Sequence, residues 1–291
     1  MSDHDLDRCK ANISAMRQRL GEIRPLASDA ISYVRRFYDI EFVYESNAIE
    51  GNTLTLRETS EVIEHGIAIG SKRLKDYIEA IDHYDAVLLM RSQAERREIA
   101  IREGDICALH QCVVARSEPH VGGRYSEFQR RIAGSGVVFP DPSEIPDLMS
   151  QFGQDLSRIA ADEENLPERA FDAHLRLVSI HPFSDGNGRT ARLLMNLILL
   201  RAGYPMLSIK PEDRGAYLDV IEHAQLNNDD KPFQEFMHFK LERGMSSYLS
   251  AIIENTPALR DISPGDNVPA GETNKTTSPR SSDQGMSPLR P

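Results

Sequence analysis

The chain is short of the features that mark a disulfide-stapled, basic or membrane-spanning protein. It has only three cysteines in 291 residues, Cys9, Cys107 and Cys112, and none sits in a C-x-x-C pair. That spacing excludes a zinc ribbon and a disulfide framework. Positive charge is in deficit: 34 Lys and Arg face 45 Asp and Glu, a formal net charge of −11. With no long Lys/Arg run, neither nucleic acid nor an anionic membrane is expected as a partner. The longest apolar run, LLMNLILL, is too short for a bilayer and is closed by Arg192 and Arg201. The opening MSDHDLDRCK is polar and acidic, unlike a secretory signal. The expectation is a cytoplasmic protein of a reducing compartment. Internal repeats are lacking as well.

What is present is helical periodicity. Hydrophobic residues make up 40%, enough for a sizeable core. AISYVRRFYDIEFVYESNAIEG carries Ile31, Val34, Phe37, Tyr38, Phe42 and Ile49 at helical spacing, with Gly51 as a stop signal. LKDYIEAIDHYDAVLLM, EGDICALHQCVV, EIPDLMSQFGQDLSRIA, ERAFDAHLRLVSI, RTARLLMNLILLRAG, EDRGAYLDVIEHAQ and PFQEFMHFKLERGMSSYLSAII continue the pattern. Tyr33, Phe37 and Tyr38 are expected in the core. His110 and His174, within apolar helices and without metal-ligand spacing, are expected to be structural. The one strand signal is FQRRIAGSGVVF, two short runs around a Gly-Ser-Gly turn. The fold class is therefore all-α with a small β-hairpin. Three regions are expected: a helical or flexible segment over 1–27, a domain over 28–250, and a disordered Pro/Ser/Thr/Gly-rich tail over 251–291.

The chemistry concentrates in HPFSDGNGRTAR, residues 181–192. Pro182 breaks one helix, Asp185-Gly186-Asn187-Gly188 turns, and a new helix begins near Gly188. Its free N–H groups and positive dipole end form an anion site, which the glycines let an anion approach closely. Arg189 and Arg192 share a face in what reads as the first turn. Positive charge there costs about 0.3–1 kcal/mol each against the macrodipole, a sign that a bound anion reverses. Two arginines point to a di- or triphosphate. Asp185 is then a natural Mg²⁺ ligand. His181 is the nearby group able to act as a base near neutral pH. The segment lacks the G-K-(S/T) ending of a Walker A loop and the G-x-G-x-x-G dinucleotide fingerprint.

The segment resembles the active-site motif of the Fic (filamentation induced by cAMP) family, H-P-F-x-(D/E)-G-N-G-R-x-x-R, at each specified position. The resemblance extends over roughly residues 41–248 and includes RLLMN, RAGYP and the flap-like GGRYSEFQRRIAGSGVVFPDP. It implies an all-α Fic core that transfers AMP from Mg·ATP to a Ser, Thr or Tyr hydroxyl of a target protein. His181 would be the general base and Asp185 the Mg²⁺ ligand. Asn187, with the N–H groups around Gly186 and Gly188, would bind the α-phosphate, and Arg189 and Arg192 the others. The flap at Ile132, Ala133, Gly134 and Ser135 would align the target by strand addition. Tyr217 and Gln225 fall where relatives contact adenine, and Leu218 where some have a second aromatic.

A second motif lies before the core. In SNAIEGN, Glu50 sits at the end of a helix closed by Gly51, where the dipole disfavours a carboxylate. The stretch resembles the family's inhibitory motif (S/T)-x-x-x-E-(G/N), here Ser46, Glu50 and Gly51, on an N-terminal inhibitory helix of about residues 41–51. The resemblance implies that Glu50 pairs with Arg192 and misaligns ATP. The expected function is a self-inhibited protein adenylyltransferase, with automodification among its reactions and an oligomer left open. The alternatives are removal of AMP from a modified protein and a nucleotide-sensing interaction module.

Overall fold

The computed structural model describes residues 3–23, 29–132, 134–159 and 165–256. Ten α-helices make up its regular structure: α1 (Asp3–Ile23), α2 (Asp29–Ile49), α3 (Leu56–His65), α4 (Leu74–Glu95), α5 (Glu103–Val113), α6 (Ile145–Ile159), α7 (Leu166–Ile180), α8 (Asn187–Arg201), α9 (Arg214–Asn227) and α10 (Lys231–Asn255). A 3₁₀ turn, Pro211–Asp213, precedes α9. The fold is all-α. No helix among the described residues is long and apolar enough to cross a membrane.

The centre of the fold is α8. Leu193, Leu194, Met195, Leu197 and Leu199 are wholly buried on successive sides of the helix. A helix apolar all round must be surrounded, and α7, α4, α5 and α2 enclose it. Each buried leucine contributes about 1.5–3 kcal/mol, so the helix cannot shift without large loss. Asn196 is a polar residue buried among them, and its amide is well used. Its Nδ2 donates to Arg192 O and Leu207 O, each at 2.9 Å, and its Oδ1 accepts the Leu207 N–H at 2.6 Å. That clasp fastens the segment after α8 to the core.

Around this centre α2 packs on α3, α4 and α10, while α1 lies along α10. Helix α3 was not expected from apolar periodicity. Thr55 and Glu58 form a capping box at its start, and Gly66, at φ +67°, closes it. The expected core positions on α2 divide. Val34, Phe42, Val43 and Ile49 are buried and Tyr38 is half-buried, but Tyr33 and Phe37 are exposed. Residues 33 and 37 share a helical stripe outside the arc that the neighbours of α2 cover.

The hairpin is also absent: no strand occurs among the described residues. The segment has one turn bond there, Ser135 N–H to Ile132 O at 3.2 Å, and otherwise runs as loop. An isolated two-stranded hairpin is marginal in water, and no further strand supports this one. Ala133 lies outside the described residues, as do residues 1–2, 24–28 and most of the expected tail, 257–291. Residues 251–255 belong to α10, with Ile252 buried, so the expected tail boundary at 251 falls inside a helix.

Candidate active site

The site lies where α7 turns into α8. Pro182 disfavours helical backbone at the residue before it, and α7 ends at His181, whose φ is +52°. A β-carbon is disfavoured in that left-handed conformation by about 1–2 kcal/mol. The turn puts the His181 ring against Val178 O, 3.3 Å from Nδ1. A carbonyl only accepts, so Nδ1 carries the proton and Nε2 keeps its lone pair. Phe139 stacks on the ring with centroids 4.1 Å apart and planes 22° apart. Burial lowers the His181 pKa below its ordinary 6.5, with partial opposition from Val178 O and Glu50. The net shift is downward, so the His181 ring is mainly neutral at pH 7.

The loop after His181 is held from beneath. The Phe183 N–H donates to Asn187 Oδ1 at 2.9 Å, and Asn187 Nδ2 donates back to Phe183 O at 2.7 Å. Asn187, expected to bind phosphate, also shapes the loop, with Oδ1 and one Nδ2–H engaged by Phe183. His110 Nε2–H donates to Asp185 O, and its Nδ1 accepts the Gly123 N–H, each at 3.0 Å. Both bonds require the neutral ring, and burial pulls the His110 pKa down to about 4. The same ring stacks on Phe183, with centroids 3.7 Å apart. Gly186 has φ +76°, and a Cβ there would lie 3.2 Å from Val113. Both conformation and space call for glycine.

Arg189 is the third residue of α8 and Arg192 the sixth, so Arg192 falls in the second turn rather than the first. Both are buried. Arg189 Nη2 lies 3.5 Å from Asp185 Oδ1, a long contact, and its buried Nε has no partner among the described residues. Arg192 is engaged by α2 through Nε and Nη2. Its Nε donates to Ser46 Oγ at 2.8 Å, and its Nη2 donates to Ser46 O at 3.0 Å and Glu50 Oε1 at 2.7 Å. Burial acts against the Arg192 charge, but Glu50 and Tyr217 outweigh it and hold the guanidinium protonated.

Glu50 also lies against the start of α8. A Cβ built on Gly188 would sit 2.3 Å from Glu50 Oε1 and 3.1 Å from Arg192 Nη1. The first-turn N–H groups of a helix have no intrahelical acceptors and attract anions. Glu50 therefore places an internal anion where an external one would meet the helix. Gly188 leaves the room. Gly51, at φ +92°, turns the chain away just after it.

The other expected site residues are dispersed. Tyr217 is 1% exposed, with its hydroxyl 2.6 Å from His174 Nε2, so it supports the floor beside Arg192 and offers no open face to a base. Gln225 donates to Ser179 Oγ at 3.2 Å and lines a cavity of about 480 Å³ with Val137, Val138, Leu175 and Ala224. Leu218 is partly exposed on the same helix. At the flap tip, Ser135 Oγ and the Gly136 N–H both donate to Glu222 Oε1, at 2.6 and 3.3 Å. Glu222 and Phe139 are site neighbours that the sequence did not single out. Asp185 keeps an exposed carboxylate. No cluster of three His, Cys, Asp or Glu able to hold a metal exists among the described residues.

The helical scaffold brings His181, a glycine-containing loop and two buried arginines together at the turn between α7 and α8, an arrangement able to receive an anion. Residues 100–199 match the profile of the Fic/DOC family. Protein adenylyltransferase Fic of Nematostella vectensis is 37% identical over 213 residues, 72% of this chain and 49% of that protein. Its namesake in Aedes aegypti is 34% identical over 233 residues, 79% of this chain and 46% of that one. The chain spans about half the length of these curated relatives. Among solved structures, a Fic-domain-containing signaling protein from Bacteroides thetaiotaomicron superimposes with TM-score 0.78 at 28% identity, covering 84% of this chain and 98% of that one. Fic-1 (residues 134–508) from C. elegans gives 0.77 at 28%, covering 87% and 74%. The chain belongs to the Fic/DOC family.

Proposed function

We propose that the chain is a self-inhibited protein adenylyltransferase that moves AMP from Mg·ATP to a Ser, Thr or Tyr hydroxyl of a target protein. The observation that carries the reading is the Glu50 carboxylate, bonded to Arg192 and pressed on Gly188 at the start of α8. An internal anion on an anion site is the arrangement of a protein that restrains its own ligand chemistry. The curated relatives named protein adenylyltransferase support the same activity.

The residues divide the work. Loop N–H groups and the α8 dipole receive phosphate, and Asn187 and His110 keep the loop in shape for it. Arg189, with a buried Nε lacking a partner, fits an anionic ligand. One exposed carboxylate without a protein metal cluster fits Mg²⁺ that arrives with phosphate oxygens, and Asp185 would hold it. Bound Mg²⁺ would neutralise charge on the phosphates. His181 Nε2 takes the proton of the target hydroxyl, whose oxygen bonds to the α-phosphorus as pyrophosphate departs. Positioning and charge supply most of the rate, and the base typically 10²–10⁴-fold. Swinging Glu50 away frees Arg192 for the terminal phosphate.

A second reading, removal of AMP, is favoured by one feature: Glu50 retains a part-exposed carboxylate beside the loop, where it could orient water. Incubation with ATP labelled on the α-phosphate, followed by intact mass, tests the first reading, with His181→Ala as control. Incorporation of AMP that the control lacks is the expected result. Loss of AMP from a premodified target, without incorporation, favours removal. Binding without either reaction returns the chain to the sensing module.

A further inference from the structure

The end of α2 has two working sides. Ser46 and Glu50 face Arg192 on α8. Asn47, between them in sequence, is 3% exposed and faces α4. There the His83 Nδ1–H donates to Asn47 Oδ1 at 2.9 Å. His83 is wholly buried, and its ring meets Phe42 of α2 edge-on at 5.5 Å. Asn47 also builds the turn that follows: its carbonyl accepts the N–H of Glu50 and of Asn52, each at 3.0 Å. One residue thus ties the turn carrying Glu50 to itself by its main chain and to α4 by its side chain.

The pair is poorly satisfied otherwise. Asn47 Nδ2 and His83 Nε2 are buried with no partner among the described residues. Unpaired polar atoms in a dry interior destabilise the folded state, and two apolar side chains of similar size avoid that penalty. What apolar packing does not supply is a fixed orientation. A hydrogen bond between two buried side chains sets the angle of α2 about its axis, and that angle decides whether Glu50 reaches Arg192. Displacing the end of α2 would also let both orphaned atoms meet water, which lowers the cost of release.

We infer that Asn47 and His83 are positioning residues for the inhibitory carboxylate, a latch that holds the end of α2 in register with α4 and is broken when Glu50 leaves Arg192. The inference rests on the self-inhibited reading above for its effect on activity, but its structural half is separable from it. Among the described residues, neither side chain hydrogen-bonds the loop of residues 181–188.

Hydrogen exchange by mass spectrometry, read on the amides of Glu50, Gly51 and Asn52 in the full chain, tests the structural half. Asn47→Leu and His83→Leu should each speed that exchange about 2- to 10-fold, the worth of one neutral hydrogen bond. The α8 amides should keep their protection, which shows that the core is folded. His83→Gln, which retains a donor, should return part of the protection and stands in if the leucine variant does not fold. AMP incorporation should rise by a similar factor in the wild-type background and not at all in a Glu50→Gly background. Damage that was merely structural would lower the rate in both. Unchanged exchange at 50–52 with α8 intact overturns the latch, as does a rise that persists without Glu50. Faster exchange with no AMP uptake by any variant, Glu50→Gly included, supports the latch and overturns the transferase reading.

Discussion

Replacing Glu50 with glycine removes the carboxylate from Arg192 and from the start of α8 while leaving Arg192 two bonds to Ser46. The lost contact is a charge-assisted hydrogen bond of 2.7 Å, with the arginine buried and the glutamate 39% exposed. Bonds to charged groups are worth about 1.5–3 kcal/mol, and solvent at the exposed carboxylate screens the pair toward the lower end. About 2 kcal/mol of restraint corresponds to a rise of roughly 30-fold in the rate of AMP incorporation, since 1.36 kcal/mol is tenfold. Two further signs follow. Without nucleotide the variant should melt below wild type, because a buried guanidinium has lost its counter-charge. With Mg·ATP its melting point should rise by more than that of wild type, because the phosphate finds the vacated partner. The assay is intact mass against time, with calorimetry for nucleotide affinity. The double variant Glu50→Gly, Arg192→Ala should lose the gain. A single variant that stays folded by circular dichroism, yet incorporates AMP no faster than wild type, refutes the inhibitory role of Glu50.

Other outcomes follow from the same geometry. His181→Ala should abolish transfer while calorimetry still registers ATP binding, because the base serves the hydroxyl and not the phosphates. Asp185→Ala should flatten the Mg²⁺ dependence of nucleotide binding, and superimposed Mg²⁺ titrations of variant and wild type would remove Asp185 from the metal site. The active form of His181 is neutral and burial lowers its pKa below 6.5, so the acid limb of transfer by Glu50→Gly should be centred below pH 6.5. An acid limb centred above 6.5 contradicts the assignment. Thr55→Ala should cost about 1 kcal/mol of stability through loss of the α3 cap, read as a lower melting temperature with no change in transfer.

The segment 181–192 was legible because its chemistry is local: a proline stop, a glycine turn and charges of the wrong sign for their helix. The pairing of Glu50 with Arg192 came from motif resemblance, since residues so far apart in sequence leave no shared periodicity. Where the sequence reading missed, the reason was tertiary. Asn187 clasps Phe183 through its amide, a structural task set by the loop path and not by the sequence. Tyr33 and Phe37 are apolar at helical spacing, but the arc of α2 that neighbours cover depends on where α3, α4 and α10 pack. Tyr217 and Gln225 share a helix yet face different surroundings. Helix α3 was readable from Thr55 and Glu58 as a capping box. It was overlooked because its apolar stripe is short. His110 was expected to be structural and is buried, but it holds Asp185 O, which sequence spacing does not disclose.

The all-round burial of α8 has a thermal consequence. The phosphate loop and both arginines are mounted on the helix whose exposure requires the whole domain to open, so this half of the site has no local melting transition of its own. The end of α2 is different: Ser46, Asn47 and Ile49 are buried, but Glu50 itself is part-exposed and reaches Arg192 through one carboxylate oxygen. Warming should therefore erode restraint before it erodes the catalytic frame. The protein would pass through a temperature range in which it is more permissive than at rest and still intact.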